Sequence, residues 1–406
     1  MRNLRSMPTL PALVRRICSG FVPALAVVVG ACRDGDSPPT LAEPTPDLAT
    51  AAAQALSFRE VSTGSAHTCG VTTDNRAYCW GLNQYGQLGD GSIPGDVAER
   101  TVPRAVAGGL QFRLVRAGDE HTCGITTDNR AYCWGNNQDG RLGDGTGTYR
   151  WAPVAVAGGL RFRHLRPGFR HTCGVTLDNL GYCWGDNGYG QLGDGKRIGR
   201  VTPRAVVGGL KFIRIIAGDR HTCGLTTNNR AYCWGYNGSG RLGIGNFGNQ
   251  VRPTAVAGEL SFRQVVAGGD HSCGVTTGDR AYCWGTNYFG QVGDNTRDHR
   301  RAPVQVAGGL SFSGVSAGFD KTCGVTTDKR AYCWGTNYVG DGTTSTRIKP
   351  VAVFGGLQFS EVSTRRSSCG VTPGKVAYCW GANYNAELGD GTKTVRVTPM
   401  AVAGPT

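Results

Sequence analysis

The sequence predicts an all-β fold, a single seven-bladed β-propeller, on three observations. The stretch His67–Gly91, HTCGVTTDNRAYCWGLNQYGQLGDG, recurs from His121, His171, His221 and His271, again from Lys321, and last from Ser367. Each unit carries four short strand-like segments separated by turn residues, with no helical period. The 64 glycines fall mostly at fixed repeat positions, which marks tight turns rather than a low-complexity tract. A fixed-period self-match signals a module that buries its apolar face against its neighbours, and units of about 50 residues built this way form propellers.

The first unit defines the elements. Ser57–Gly64 opens it. Thr68–Thr73 and Arg76–Gly81 read as two strands around Asp74-Asn75, Leu82–Gly91 as a glycine-rich turn segment, and Pro103–Val106 as a fourth strand after a variable loop. The first Cys of each unit falls at 69, 123, 173, 223, 273, 323 and 369, giving steps of 54, 50, 50, 50, 50 and 46. The long step holds the loop Ser92–Thr101, and the short one a deletion at Gly340-Asp341-Gly342. Both changes spare the strands. The units run at about 56–109, 110–159, 160–209, 210–259, 260–309, 310–356 and 357–406.

Residues 1–31 stand apart. Arg2, Arg5, Arg15 and Arg16 precede the apolar run Ile17–Ala31, which is short for a membrane span and has the layout of a secretory signal. The run ends in Val29-Gly30-Ala31-Cys32, which resembles a lipobox with Cys32 as the lipidated residue. The alternative is an ordinary signal cleaved nearby. Arg33, where bacterial lipoproteins held at the inner membrane often carry Asp, favours a location further out. Residues 32–55 are rich in Pro and small residues and read as a tether. Removing the four arginines of the signal takes the net charge from +14 to +10, so the remaining chain is still basic.

Sixteen cysteines are present; apart from Cys18 and Cys32 they form seven pairs. Cys69 goes with Cys79, Cys123 with Cys133, Cys173 with Cys183 and Cys223 with Cys233. In the last three units Cys273 goes with Cys283, Cys323 with Cys333 and Cys369 with Cys379. Strand parity decides whether a pair can bond. A two-residue turn at Asp74-Asn75 sets Cys69 against Trp80, whereas a three-residue loop Thr73-Asp74-Asn75 sets Cys69 against Cys79. The third loop residue is then left-handed, which suits Asn75, Asn129, Asn179 and Asn229, though Asp279, Lys329 and Lys375 depart from the pattern. Disulfides are the expectation for an exported chain with such spacing. Metal is the alternative, but His67-Thr68-Cys69…Cys79 is no known zinc spacing, and units six and seven lack the His.

The pattern G-x-x-H-T-x-x-x-x-T…Y-x-W-G-x-N-x-x-G-Q-L-G-x-G resembles the chromosome-condensation-regulator repeat family across about Leu56–Ala403. The resemblance implies seven-bladed propellers. It implies little about function, because the family includes a guanine-nucleotide exchange factor, a plant UV-B photoreceptor and a secreted β-lactamase inhibitor. The photoreceptor carries extra Trp just before the repeat His; here those positions are Ala66, Glu120, Arg170, Arg220 and Asp270, so light sensing does not carry over.

The remaining motifs read as repeat architecture. Gly188–Gly193 and Gly238–Gly243 match G-x-G-x-x-G but lack the strand and helix that a dinucleotide site needs. Five histidines at one repeat position suggest a structural hydrogen bond rather than catalysis. The tryptophans 80, 134, 184, 234, 284, 334 and 380 read as packing between blades. Trp151 lies outside that position, in a variable loop, and reads as a contact candidate.

Loops after the first and third strands emerge on one side of an antiparallel blade. The first set holds Phe169, Arg170, Arg220 and Phe319, and the second is basic, with Arg297, Arg300 and Arg301 among others. Binding residues favour such loops, although unconstrained loops also drift. The expectation is an exported, lipid-anchored, monomeric propeller that binds a protein or an anionic envelope polymer. Neither an enzyme, a cofactor, a metal nor nucleic acid is expected, and the membrane is reached through the lipid anchor alone. The alternative is an exchange factor or chromatin binder, as the resemblance implies.

Overall fold

The computed structural model describes residues 56–93 and 98–405. The signal segment, Cys32 and the tether lie outside these residues. In the first blade, β1 (Phe58–Thr63), β2 (His67–Thr72), β3 (Ala77–Leu82) and β4 (Glu99–Ala105) pair antiparallel in sequence order. Six further blades repeat this arrangement, from Phe112–Ala117 at the start of the second to Arg396–Ala401 at the end of the seventh. The first strands surround the axis. The fourth strand begins at Glu99, four residues before Pro103, because Gly81 and Leu82 pair back to Arg100 and Glu99 beyond a bulge.

The loop Thr73-Asp74-Asn75 sets the hairpin register. Thr72 N donates to Arg76 O and Asn75 N to Thr72 O, and Asn75 has φ 66°. Val71 therefore faces Ala77, and Cys69 faces Cys79. Asp279, Lys329 and Lys375 take the same left-handed conformation at φ 62°, 68° and 66°. The flanking strands impose it, even on lysine.

All seven cysteine pairs are disulfides within their own hairpins, each with a sequence separation of 10. Cys69 bonds to Cys79, Cys123 to Cys133, Cys173 to Cys183 and Cys223 to Cys233. Cys273 bonds to Cys283, Cys323 to Cys333 and Cys369 to Cys379. In every hairpin the two cysteines stand directly opposite each other, as the three-residue loop requires.

The core lies between blades. Cys69, Val71, Cys79 and Leu88 of the first blade pack on Phe112, Val115, Ala117 and Trp134 of the second. The disulfide is therefore part of the inter-blade surface. The ring closes in the same way: Phe58, Val61 and Trp80 pack on Cys369, Val371, Cys379 and Leu388 of the seventh blade. Among the described residues every sheet consists of four consecutive strands, so closure there uses whole blades and exchanges no strand.

Candidate functional site

The most repetitive residues are occupied by the seams between blades. Trp134 is fully buried and its Nε1 donates to Gln87 O of the preceding blade at 3.0 Å. Thr122 Oγ1 donates to the same carbonyl at 2.7 Å, and His67 Nε2 lies 2.8 Å from that hydroxyl. The hydroxyl gives its one proton to the carbonyl, so it accepts from His67, which is fixed as the Nε2–H tautomer. Equivalent bonds join His121 to Thr172, His171 to Thr222, His221 to Ser272 and His271 to Thr322. All seven tryptophans donate to the equivalent loop carbonyl. Gly89 lies under Trp134 at φ 68°, where any Cβ would overlap the indole.

Burial holds these histidines neutral. It lowers His67 and His171 to about 3 and His271 to about 4, and it carries His121 and His221 well down. Such a group is no acid or base near neutrality. Lys321 replaces the His in blade six, where burial lowers its ammonium to about 7. Ser367 replaces it in blade seven, with no hydrogen-bond partner for its hydroxyl among the described residues.

A second repeated device accounts for much of the basic loop set. Arg150 pairs with Asp144 at 2.7 Å, Arg200 with Asp194 at 3.2 Å, and Arg347 with Asp341 at 2.6 Å. Arg100 and Arg396 make the equivalent pairs with Asp90 and Asp390. These clasps tie the start of the fourth strand to the glycine-rich loop. Blade four has Ile244 and Gln250 in the two places, so both partners are lost together. Arg300 belongs to this set: its Nε meets Asp294 Oδ2 at 2.6 Å. It is therefore a structural residue rather than a free contact.

Trp151 also requires correction. It sits on the fourth strand of blade two, half-buried over Gly86 of the preceding blade. Val201, Val251, Arg301 and Ile348 cover Gly140, Gly190, Gly240 and Gly290 in the same way. Trp151 thus occupies a repeat position and seals a seam, flanked by Tyr149 at 6.3 Å. Arg297 and Arg301 are exposed.

Phe169, Arg170, Arg220 and Phe319 gather around one mouth of the central channel. Backbone bonds link these loops around the ring, from Asp119 N to Gly168 O and from Phe169 N to Gly218 O. Arg365 of blade seven crosses the mouth to Asp219 of blade four at 2.6 Å, an ion pair that sequence reading missed. It also stacks on Phe319 at 4.5 Å, with Arg366 over the same ring at 5.4 Å. Arg170 lies over Phe169 at 5.3 Å, and Arg220 over Tyr189 at 5.7 Å. Tyr338 and Tyr384 of the third-strand loops line a 240 Å³ hollow with Phe319, Asp320 and Arg366. Burial pushes the Asp119 carboxyl up to about 7, and Ser65 donates to it. Acidic groups (Asp219, Asp270, Asp320) stand beside Arg366 and the other arginines here, so the mouth is charge-mixed rather than basic. Among the described residues, no group of His, Cys, Asp and Glu could hold a metal ion.

The seam predicts an acid response. Each unfolded His binds a proton near pH 6.5, whereas His171 in the ring binds one only near 3. The stability this gives is present above about pH 6.5 and declines as pH falls towards the folded value. The buried Asp119 acts in the opposite sense, so the His171→Gln difference isolates the effect. Between pH 6 and pH 4 the unfolding free energy of His171→Gln should fall less steeply than that of the parent, by about 1.4 kcal/mol per pH unit. Urea titrations at stepped pH measure this, and equal slopes would contradict a neutral His171.

Comparison with known proteins agrees with this geometry. The repeat described as "Regulator of chromosome condensation (RCC1) repeat" matches residues 74–125, 128–175, 180–225, 228–275 and 279–325. A second description of the same repeat matches 58–87, 112–141, 213–241, 262–291 and 312–341. The chain is 35% identical over 97 residues to the ultraviolet-B receptor UVR8 of Arabidopsis thaliana, covering 23% of this chain and 21% of that protein. It is 34% identical over 86 residues to the human probable E3 ubiquitin-protein ligase HERC4, covering 21% of this chain and 8% of the ligase. The matched stretch thus spans less than a quarter of either relative. Human WBSCR16 superposes with a TM-score of 0.73 at 20% identity over 81% of this chain and 95% of its own. Prp20p of Saccharomyces cerevisiae, whose crystal structure is described with its binding to Gsp1p and histones, superposes at 0.74 and 18% identity over 82% and 87%. At such identities the superpositions establish the fold alone. By its fold and by five matched repeats that span more than half its length, the chain belongs to the regulator-of-chromosome-condensation repeat family.

Proposed function

We propose that this protein is an exported, lipid-anchored propeller that binds a protein partner through the channel-mouth face, without catalysis of its own. The observation that carries the reading is the uneven distribution of side chains between the two ends of the ring. The mouth face gathers Phe169, Tyr189, Phe319, Tyr338 and Tyr384 with Arg170, Arg220 and Arg366. Aromatic and arginine side chains are enriched in protein interfaces, where they supply area at low entropic cost. The opposite end carries the repeated Asx-containing hairpin turns. An anionic polymer is less favoured, because the mouth also holds Asp119, Asp219, Asp270 and Asp320, and because the clasps occupy Arg100, Arg150, Arg200, Arg300, Arg347 and Arg396.

Seven buried disulfides favour an oxidising compartment, in keeping with the signal-like first 31 residues. They weigh against the nuclear exchange-factor reading, since reducing compartments keep thiols free.

Two measurements test this. Cell fractionation should place the protein in the membrane fraction with all fourteen paired cysteines oxidised, and Cys32→Ser should release it. Free thiols throughout, or unchanged fractionation with no acyl mass on Cys32, would overturn the compartment reading. Affinity capture from envelope extract should retain a defined partner. Tyr338→Ser/Tyr384→Ser/Arg366→Ala should weaken that capture at least about tenfold, as loss of interface anchors does. Leu177→Ser/Leu180→Ser in a turn at the other end should leave it intact, and the reverse pattern would mean that the other face binds.

A further inference from the structure

The first strands share a fixed inward pattern, with Phe at the first position and an aliphatic residue at the fourth. Their third and fifth positions face the axis and do not repeat. The third position runs from Glu60 through His164 and Arg214 to Gly314, and the fifth holds Arg116, Arg166 and Ser316. Repetition breaks down here, as it does in the mouth loops, while the blade cores repeat.

These residues enclose a cavity of about 290 Å³ in the channel. Arg116, His164, Arg166 and Arg214 of blades two to four form one wall, and Gly314, Ser316 and Ser363 of blades six and seven form part of the other. Arg116 is paired with Glu60 at 2.8 Å. The guanidinium groups of Arg166 and Arg214 have no hydrogen bond or ion pair among the described residues. His164 Nδ1 is buried without a partner. Glu361, the other acid of the cavity, accepts from Val61 N at 3.2 Å, and burial pushes its carboxyl up. Burial and the neighbouring Arg116 and Arg365 lower Arg166 to about 9, against the opposing pull of Glu60 and Glu361. Arg166 is half-buried and feels Glu60 and Glu361 without a direct pair, while Arg214 is exposed to the channel. Three guanidinium groups against those two carboxyls leave the wall net positive. The shortage of compensating negative charge is what a bound anion would supply.

We infer that this cavity is a binding site for a small oxyanion, a phosphate or carboxylate group on a small molecule, held by Arg166 and Arg214 against the serine wall. The guanidinium fork matches two oxygens of either group, and the opposing hydroxyls donate to the rest. The volume lies at the lower end for small-molecule sites and excludes a folded partner. Arg365 spans the other mouth, so entry is from the hairpin-turn end. The site is therefore separate from the protein-binding face.

Isothermal titration of the oxidised full chain with inorganic phosphate and, separately, citrate tests this at constant ionic strength, with chloride as the control. At least one of the two should bind saturably with one site, and the preference tells phosphate from carboxylate. Arg166→Gln/Arg214→Gln should weaken binding at least about tenfold, since charged hydrogen bonds are lost. Gly314→Val should weaken it comparably while leaving every charge in place. A Cβ at Gly314 meets its nearest neighbour, Gln264 Oε1, at an ordinary 3.5 Å, so this variant keeps the fold if the double arginine variant does not. Arg252→Gln/Lys349→Gln on the outer strands should bind as the parent does. No saturable binding of either anion, or full binding by Gly314→Val, would overturn the assignment.

Discussion

One buried carbonyl per seam organises this ring. The oxygen of Gln87, and its equivalent in each other blade, receives a tryptophan N–H from the next blade. At six of the seven seams it also receives a Thr or Ser hydroxyl. A carbonyl left bare in that position would cost its full desolvation penalty, and two donors remove it. The same contacts fix where the indole lies, so the largest apolar side chain of each blade is placed by a polar bond. The glycine under the indole and the histidine behind the hydroxyl follow from that geometry. So does the burial of the disulfide, which fills the rest of the interface.

Because the seams absorb the repeated residues, function falls to what does not repeat. Two regions qualify. The loops at the mouth differ from blade to blade and gather aromatic rings beneath arginines. The channel positions differ as well and place three arginines and a histidine opposite serines. The repeated histidines join one blade to the next, and the clasp arginines fix the fourth strand within its own blade.

Much of the fold was legible in the sequence. The Cys spacing with Asn75 at its turn pointed to the hairpin register, because a three-residue loop sets Cys69 opposite Cys79 where a two-residue turn sets it opposite Trp80. The same spacing paired Cys133, Cys183, Cys233, Cys283 and Cys333 with the cysteine ten residues before each, although the turn residue changes to Asp279 and Lys329 in two of those hairpins. The histidine was readable as a structural donor but not its partner, which lies in the next repeat and is met only when blades stack. The Asp–Arg clasps left a signal that was open to reading: Ile244 and Gln250 depart from the pattern in the same unit. Without it, Arg300 looked like a free contact, and Trp151 looked unplaced because a valine, arginine or isoleucine fills its position elsewhere. The channel cavity gave no motif, since residues from several different blades build it and only the ring brings them together.

The most direct test compares two hydroxyl deletions by urea unfolding. Thr172→Val removes the bond to Arg141 O and also strands the buried Nε2–H of His121. Thr68→Val removes the equivalent bond to Glu387 O, at a seam where the preceding blade has Ser367 in place of His. The seam account predicts that Thr172→Val is the more destabilising, by about 1–3 kcal/mol for the additional unpaired donor. Equal losses at the two sites would contradict it.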